Sequence, residues 1–155
     1  MLQTLATVKH CIHRHNPYGT YNEELLTAFF QSIDAMASFP NVLGVLITEH
    51  LINNLDSERC APVVRAVVRD LKQYMELKRR LCGQRPLPVG FGGGSYKYDR
   101  KVVDYMTAGD RDSCVDFWTV RSRQTADGRI LSLTDRATVY WLSTSREINC
   151  RYERS

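Results

Sequence analysis

The most constraining feature of this chain is an alternation between short, almost continuous apolar runs and amphipathic stretches of helical period. Asn41–Thr48 (NVLGVLIT) is rich in β-branched residues, as a strand buried on both faces would be. Ala61–Leu81 follows as a long amphipathic helix with Pro62 in its first turn and Val63, Val64, Val67, Val68, Leu71, Tyr74, Met75 and Leu77 on its apolar face. Leu87–Phe91 (LPVGF), Val115–Val120 (VDFWTV) and Ala137–Leu142 (ATVYWL) read as further strands, with a short helix from about Arg100 to Met106 between the first two. Upstream, Asn16-Pro17-Tyr18-Gly19 is a turn, and Thr20 or Asn22 can cap a helix that carries Leu25, Leu26, Phe29, Phe30, Ile33 and Met36 at helical spacing and stops at Pro40. The expected order is helix, strand, helix, strand, short helix, strand, loop, strand. That order implies βαβ units and an α/β fold built on a parallel sheet.

Composition narrows the function classes. At 155 residues the chain has room for one domain, and a complete (β/α)8 barrel needs about 200 residues or more. It is 43% hydrophobic and 25% charged, which suits a packed globular domain. A net charge of +4 without a polybasic run argues against nucleic acid as a partner. Neither a membrane span nor a secretion signal is read: no apolar run reaches the roughly 18 residues a span needs, and Met1–His15 holds Lys9, His10, His13, Arg14 and His15. Five cysteines (Cys11, Cys60, Cys82, Cys114, Cys150) form no CxxC pair and no zinc-spaced cluster, so no metal is expected and composition alone reads as a reduced, intracellular chain.

Ligands of parallel α/β sheets bind beyond the carboxyl ends of the strands. Four places deserve inspection there: Thr48-Glu49-His50, Gly90-Phe91-Gly92, Val120-Arg121-Ser122 and Ser145-Arg146-Glu147. The run Gly90–Gly94 invites a phosphate-loop reading, but Ser95 breaks the GxGxxG frame, no GK[ST] ending is present and no long helix is expected close behind it. A flexible strand-to-helix connection is the expectation, and no cofactor is called for. Glu49, His50 and Glu147 are acid–base groups at the ends of different strands. A retaining glycosidase needs two carboxyls so placed, one protonating the leaving oxygen and one attacking the sugar, about 5 Å apart. Phe91, Trp118 and Trp141 are candidate sugar platforms, although each alone is more often a core residue.

Taken together, these residues resemble the catalytic domain of the fungal β-1,3-glucanosyltransferases of glycoside hydrolase family 72. Ile12–Asn22 (IHRHNPYGTYN) is similar to the family's INRxxP…SYN segment, and Ser32–Asn54 to its run ending in GNEVxN. Ala61–Met75 (APVVRAVVRDLKQYM) resembles the family's APxVKAxxRDxKxYI helix, LPVGF its IPVGY, and DYMTAGD…VDFW its YxxCGD…xDFxxxN. The resemblance spans Ile12–Gln124 and implies a partial (β/α)8 barrel, retaining double displacement, and a linear β-1,3-glucan as substrate and partner, with transfer to a second glucan chain. It also implies a cell-surface or cell-wall address, with membrane contact only through a lipid anchor. Neither an anchor signal nor the first barrel strands are read in this chain, so a single, incomplete catalytic domain over residues 1–155 is the expectation.

Departures from the family pattern fall on the chemistry. The aligned Gly-Asn-Glu is Thr48-Glu49-His50, so His50 holds the acid/base position, and Glu49 holds the Asn position and is a substitute acid. The resemblance makes Glu147 the nucleophile candidate and assigns substrate-binding roles to Arg100, Ser95, Phe91 and Tyr21. The family's cysteine before Gly-Asp is Ala108 here, which leaves Cys150 without the partner the resemblance would give it, and the family's Asn-x-Tyr-x-Trp-Cys stretch is replaced by Arg121–Ala126. Those losses keep a second reading open, a catalytically inactive glucan-binding protein on the same fold.

Overall fold

The structure is a computed structural model that describes residues 1–49, 51–93, 96–121 and 137–141. The elements run β1 (Leu2–Thr4), α1 (Pro17–Thr20), α2 (Glu23–Ala37), β2 (Gly44–Glu49), a 3-10 helix (Leu55–Cys60), α3 (Ala61–Cys82), β3 (Val89–Gly93), α4 (Tyr96–Thr107), a 3-10 turn (Arg111–Ser113), β4 (Phe117–Arg121) and β5 (Ala137–Trp141). The strands form one sheet in the order β1-β2-β3-β4-β5. Pairings β1–β2, β2–β3 and β3–β4 are parallel, so the sheet advances one strand per crossover in one direction, as a barrel wall does.

The helices form where the sequence supplies caps and stripes. Asn22 caps α2 by accepting the Leu25 amide at 3.0 Å, with Glu23 and Glu24 in the first turn. The helix buries Leu25, Phe29 and Ile33 and ends at Ala37, with Ser38 as its cap, two residues before Pro40. Helix α3 buries Val63, Val64, Val67, Val68, Leu71 and Met75 and ends on Gly83, whose φ of 69° suits a residue without Cβ. These stripes meet Val45, Ile47, Val89, Phe91 and Trp118 from one face of the sheet, making the main core. Each such residue contributes about 1.5–3 kcal/mol by leaving water.

Polar ties fix the layers. Asp116 accepts the Val89 amide at 2.8 Å and Lys72 Nζ at 2.7 Å, while Lys72 also donates to the Cys114 carbonyl at 2.7 Å. One carboxylate thereby binds β3, the entry to β4, and α3. Asp34 on α2 accepts from Tyr74 (2.7 Å), Lys78 (3.0 Å) and Gln84 (3.1 Å), beneath the stacked rings of Phe30 and Tyr74, 4.1 Å apart.

The structure corrects several expectations. Strand β1 precedes the segment that carried the resemblance; three residues are too few to show a period. β5 pairs antiparallel to β4, not parallel. Residues 122–136 offer a turn signal, Ala126-Asp127-Gly128, instead of a helical stripe, and an antiparallel neighbour needs no helical crossover. The polar stretch after β2 hides Leu51 and Ile52 and a 3-10 helix capped by Asn54 and Ser57. Leu77 is exposed, since it falls off the stripe set by Val64, Val67, Leu71 and Met75. Gly90 to Gly93 lie within β3 and are not a flexible connection, and the 12-residue α4 begins at Tyr96, earlier and closer than expected.

Gly90 is small for a packing reason. A Cβ there would lie 2.4 Å from the fully buried Phe117 ring, which covers the second face of the sheet. Gly90→Ala is expected to lower stability by about 1–3 kcal/mol in urea unfolding, the cost of overpacking a closed core. For Asp34, burial raises the carboxyl pKa, but the bonds from Tyr74, Lys78 and Gln84 outweigh it and hold the group below the ordinary Asp value. Stability from this site is therefore complete above the unfolded-state pKa of about 4 and drains as pH falls through the lower folded value. Asp34→Asn should cost about 1–2 kcal/mol at pH 7, with the gap from the parent narrowing in melts below about pH 4.

Candidate functional site at the carboxyl ends of the parallel strands

Glu49 is the last residue of β2, and its direction is set by an irregularity. Val45 pairs with Val89 and Leu46 with Gly90, but Glu49 pairs with Gly92, so three steps on β2 match two on β3. Side chains alternate along a strand, and without the slip Glu49 would share the helix-covered face of Val45 and Ile47. The bulge turns it to the face of Leu46, Gly90 and Gly92. Thr4, last residue of β1, donates its hydroxyl to Glu49 Oε1 at 3.0 Å. A Cβ on Gly92 would lie 3.0 Å from both Cα and Cγ of Glu49. Three strand ends thus converge on one carboxylate, which is half-buried.

The chain beyond it is pinned as well. Leu51 and Ile52 are buried, and the amides of Asn53 and Asn54 donate to Ser57 Oγ at 3.0 and 3.1 Å. Arg14, in the loop after β1, donates from Nε to the Leu51 carbonyl at 2.7 Å, and Arg59 donates to the Arg14 carbonyl at 3.2 Å. The residues on either side of position 50 are therefore held by different elements. The sequence alone marks neither Thr4 nor Gly92 as a support for Glu49, and Arg14 only as one of the basic residues near the N-terminus; the signals become visible once the strand register is known.

Other predicted site residues are distributed unevenly. His50, Ser95 and Glu147 lie outside the described residues, and Arg100 is described only as a backbone position in α4. Phe91 is fully buried, tilted 40° against Trp118 with ring centroids 5.0 Å apart, and belongs to the helix-side core. Its expected role as a sugar contact is thus replaced by packing: odd-numbered β3 residues face the helices. Tyr21 gives its hydroxyl to Asp70 on α3, with Arg69 Nη2 donating back at 3.3 Å. Burial, reinforced by the Asp70 carboxylate, pushes the Tyr21 pKa up. The half-buried Tyr21 is thereby tied to the helical layer. Cys11, Cys60, Cys82 and Cys114 are free thiols, and among the described residues no cluster of His, Cys, Asp and Glu could hold a metal ion. An open hollow of about 600 Å³ on the outer side of α2, lined by His10, Glu23, Glu24, Thr27 and Gln31, contains none of the predicted site residues.

Comparison with known proteins identifies the family to which this sheet belongs. The model of the glucanosyltransferase family, glycoside hydrolase family 72, matches residues 1–129. The chain belongs to this family. It is 34% identical over 113 residues to 1,3-beta-glucanosyltransferase gel1 of Aspergillus fumigatus, covering 72% of this chain and 24% of that relative. It is 32% identical over 122 residues to 1,3-beta-glucanosyltransferase GAS5 of Saccharomyces cerevisiae, covering 77% and 24%. The chain thus spans about a quarter of the length of these relatives. Its fold matches Saccharomyces cerevisiae Gas2p, solved in complex with laminaritriose and laminaritetraose, with a TM-score of 0.70 and 26% identity over 80% of this chain and 27% of that one. The architecture is accordingly a partial (β/α)8 barrel. The matched region also takes in β1, which the sequence resemblance alone had left out.

Because the Tyr21 hydroxyl bonds Asp70 on α3, Tyr21→Phe is expected to lower stability by about 0.5–1.5 kcal/mol in urea unfolding.

Proposed function

We propose that this chain acts in β-1,3-glucan remodelling in the fungal cell wall, cleaving a linear β-1,3-glucan and transferring the new end to another glucan chain. The observation that carries the reading is the bulge that turns Glu49 to the strand carboxyl ends, supported by Thr4, in a sheet of the glucanosyltransferase family. Glucan is the partner and no cofactor is required. Attachment at the cell surface is through a lipid anchor of the family's kind; no described helix is long and apolar enough to cross a membrane.

The chemistry is double displacement. The Glu147 carboxylate attacks the anomeric carbon as the glycosidic C–O bond breaks, and the group at position 50 gives its proton to the departing oxygen. The 3-hydroxyl of an acceptor glucan then attacks the glycosyl ester, returning its proton to the same group and releasing Glu147. Here the proton carrier is His50, with Glu49 as the substitute acid beside it. A general acid of altered length and geometry forfeits about 10²- to 10⁴-fold in rate, so the transfer is weakened relative to a family member with Asn-Glu at these positions.

Reduced laminari-oligosaccharides test this directly. The purified chain should yield products longer than the substrate, slowly, and the double change Glu49→Asn with His50→Glu should raise that rate by about 10²-fold or more. Glucan binding without elongation by either form would establish the inactive binding protein instead, and would remove Glu147 from the nucleophile's role.

A further inference from the structure

We infer that Thr4 and Gly92 are positioning residues for Glu49, holding its carboxylate at the mouth of the sheet as an acceptor for a hydroxyl of the bound carbohydrate; the ligand in this inference rests on the glucan reading above. The two residues come from the strands on either side of β2, and each makes sense only in relation to Glu49. Thr4 pairs in register with Leu46, below Glu49 on the strand, so its hydroxyl reaches forward along the strand to meet Oε1 at 3.0 Å. A hydroxyl on a β-branched residue is both a good strand former and a short donor.

Gly92 contributes by what it lacks. Its φ lies outside the positive range that calls for glycine, so backbone conformation does not require glycine here. The requirement is steric: a methyl group would come within 3.0 Å of Glu49 Cα and Cγ and 3.1 Å of the Thr48 carbonyl oxygen. Those are positions at which backbone, not a flexible tip, would have to move. The missing side chain lets the bulged end of β2 lie down on β3 and keeps Glu49 within reach of Thr4. Donor on one side and clearance on the other define one carboxylate position.

The experiment follows the Glu49 side-chain carboxyl resonance in the full chain labelled with ¹³C-glutamate, assigned by its loss in Glu49→Gln. Thr4→Val keeps shape and strand propensity and removes the donor. It should shift the Glu49 resonance and weaken binding of a reduced laminari-oligosaccharide about tenfold, the scale of one hydrogen bond to a charged group, with the melting temperature held within about 3 °C. Thr4→Ser should restore both. Gly92→Ala should move the same resonance. An unmoved Glu49 resonance in the folded Thr4→Val protein overturns the positioning roles. A resonance that moves in Thr4→Val and returns in Thr4→Ser, in a protein that binds no oligosaccharide even as the parent, keeps those roles and overturns the carbohydrate reading.

Discussion

The register slip between β2 and β3 is the constraint on which the site depends. Along β2, Val45 and Ile47 must face the helices, because Val64, Val67 and Phe29 close over that face. Strict alternation would send Glu49 after them, burying a carboxylate among apolar side chains, where an unpaired charge is expensive. Spending three residues against two on β3 between Leu46 and Glu49 reverses the parity at the last moment. The strand thus serves the core along most of its length and the site at its end. The same slip lets the chain leave β2 in a direction that tucks Leu51 and Ile52 inward and brings the Leu51 carbonyl to Arg14.

The layers around the strands are fixed by polar groups. Asp116 ties the start of β3 to the start of β4 and, through Lys72, to the middle of α3. Asp34 ties α2 to α3 through Tyr74 and Lys78, and Tyr21 ties the approach to α2 onto Asp70. Each tie involves a partly exposed group, so none needs the full desolvation of a buried ion pair, and their value lies in fixing helix rotation more than in gross stability. With the helices locked by these ties, the carboxyl ends of β1 to β3 carry a threonine, a glutamate and a glycine that meet at one carboxylate.

Much of this was legible in the sequence, and the boundary between what was and was not is physical. The stripes of α2 and α3 could be read because Leu25, Phe29, Ile33 and Val64, Val67, Leu71, Met75 repeat at helical spacing, a property of local sequence. The apolar runs of β2 and β3 were equally plain. Strand β1 was missed because Leu2–Thr4 gains its identity only by pairing with Gly44–Leu46. The direction of β5 and the bulge at Glu49 are likewise properties of pairs of segments and leave no periodic trace in one. Phe91 looked like a ligand contact because aromatics near strand ends serve both uses; its burial against Trp118 separates them.

The geometry at Glu49 also bears on what the exchange of Asn-Glu for Glu-His means under the proposed reading. A neutral amide at position 49 both donates and accepts, whereas an ionised carboxylate only accepts. Thr4 donates to Oε1, and under the proposed reading acceptance is what the carboxylate offers toward a sugar hydroxyl. The lost donor is not lost from the pair, because an imidazole at position 50 carries a ring N–H in either charge state. Under the proposed reading the pair keeps a proton-passing side chain at its second position, His50 in place of Glu, while its first position changes from an amide that donates and accepts to a carboxylate. Such a swap preserves the inventory needed to hold a glucan more faithfully than the distances needed to cleave it, since hydrogen bonds to a flexible sugar tolerate displacement and proton transfer to a reacting oxygen does not. Under the proposed reading, affinity for a glucan is therefore the property this exchange would preserve best, and turnover the one it would lower.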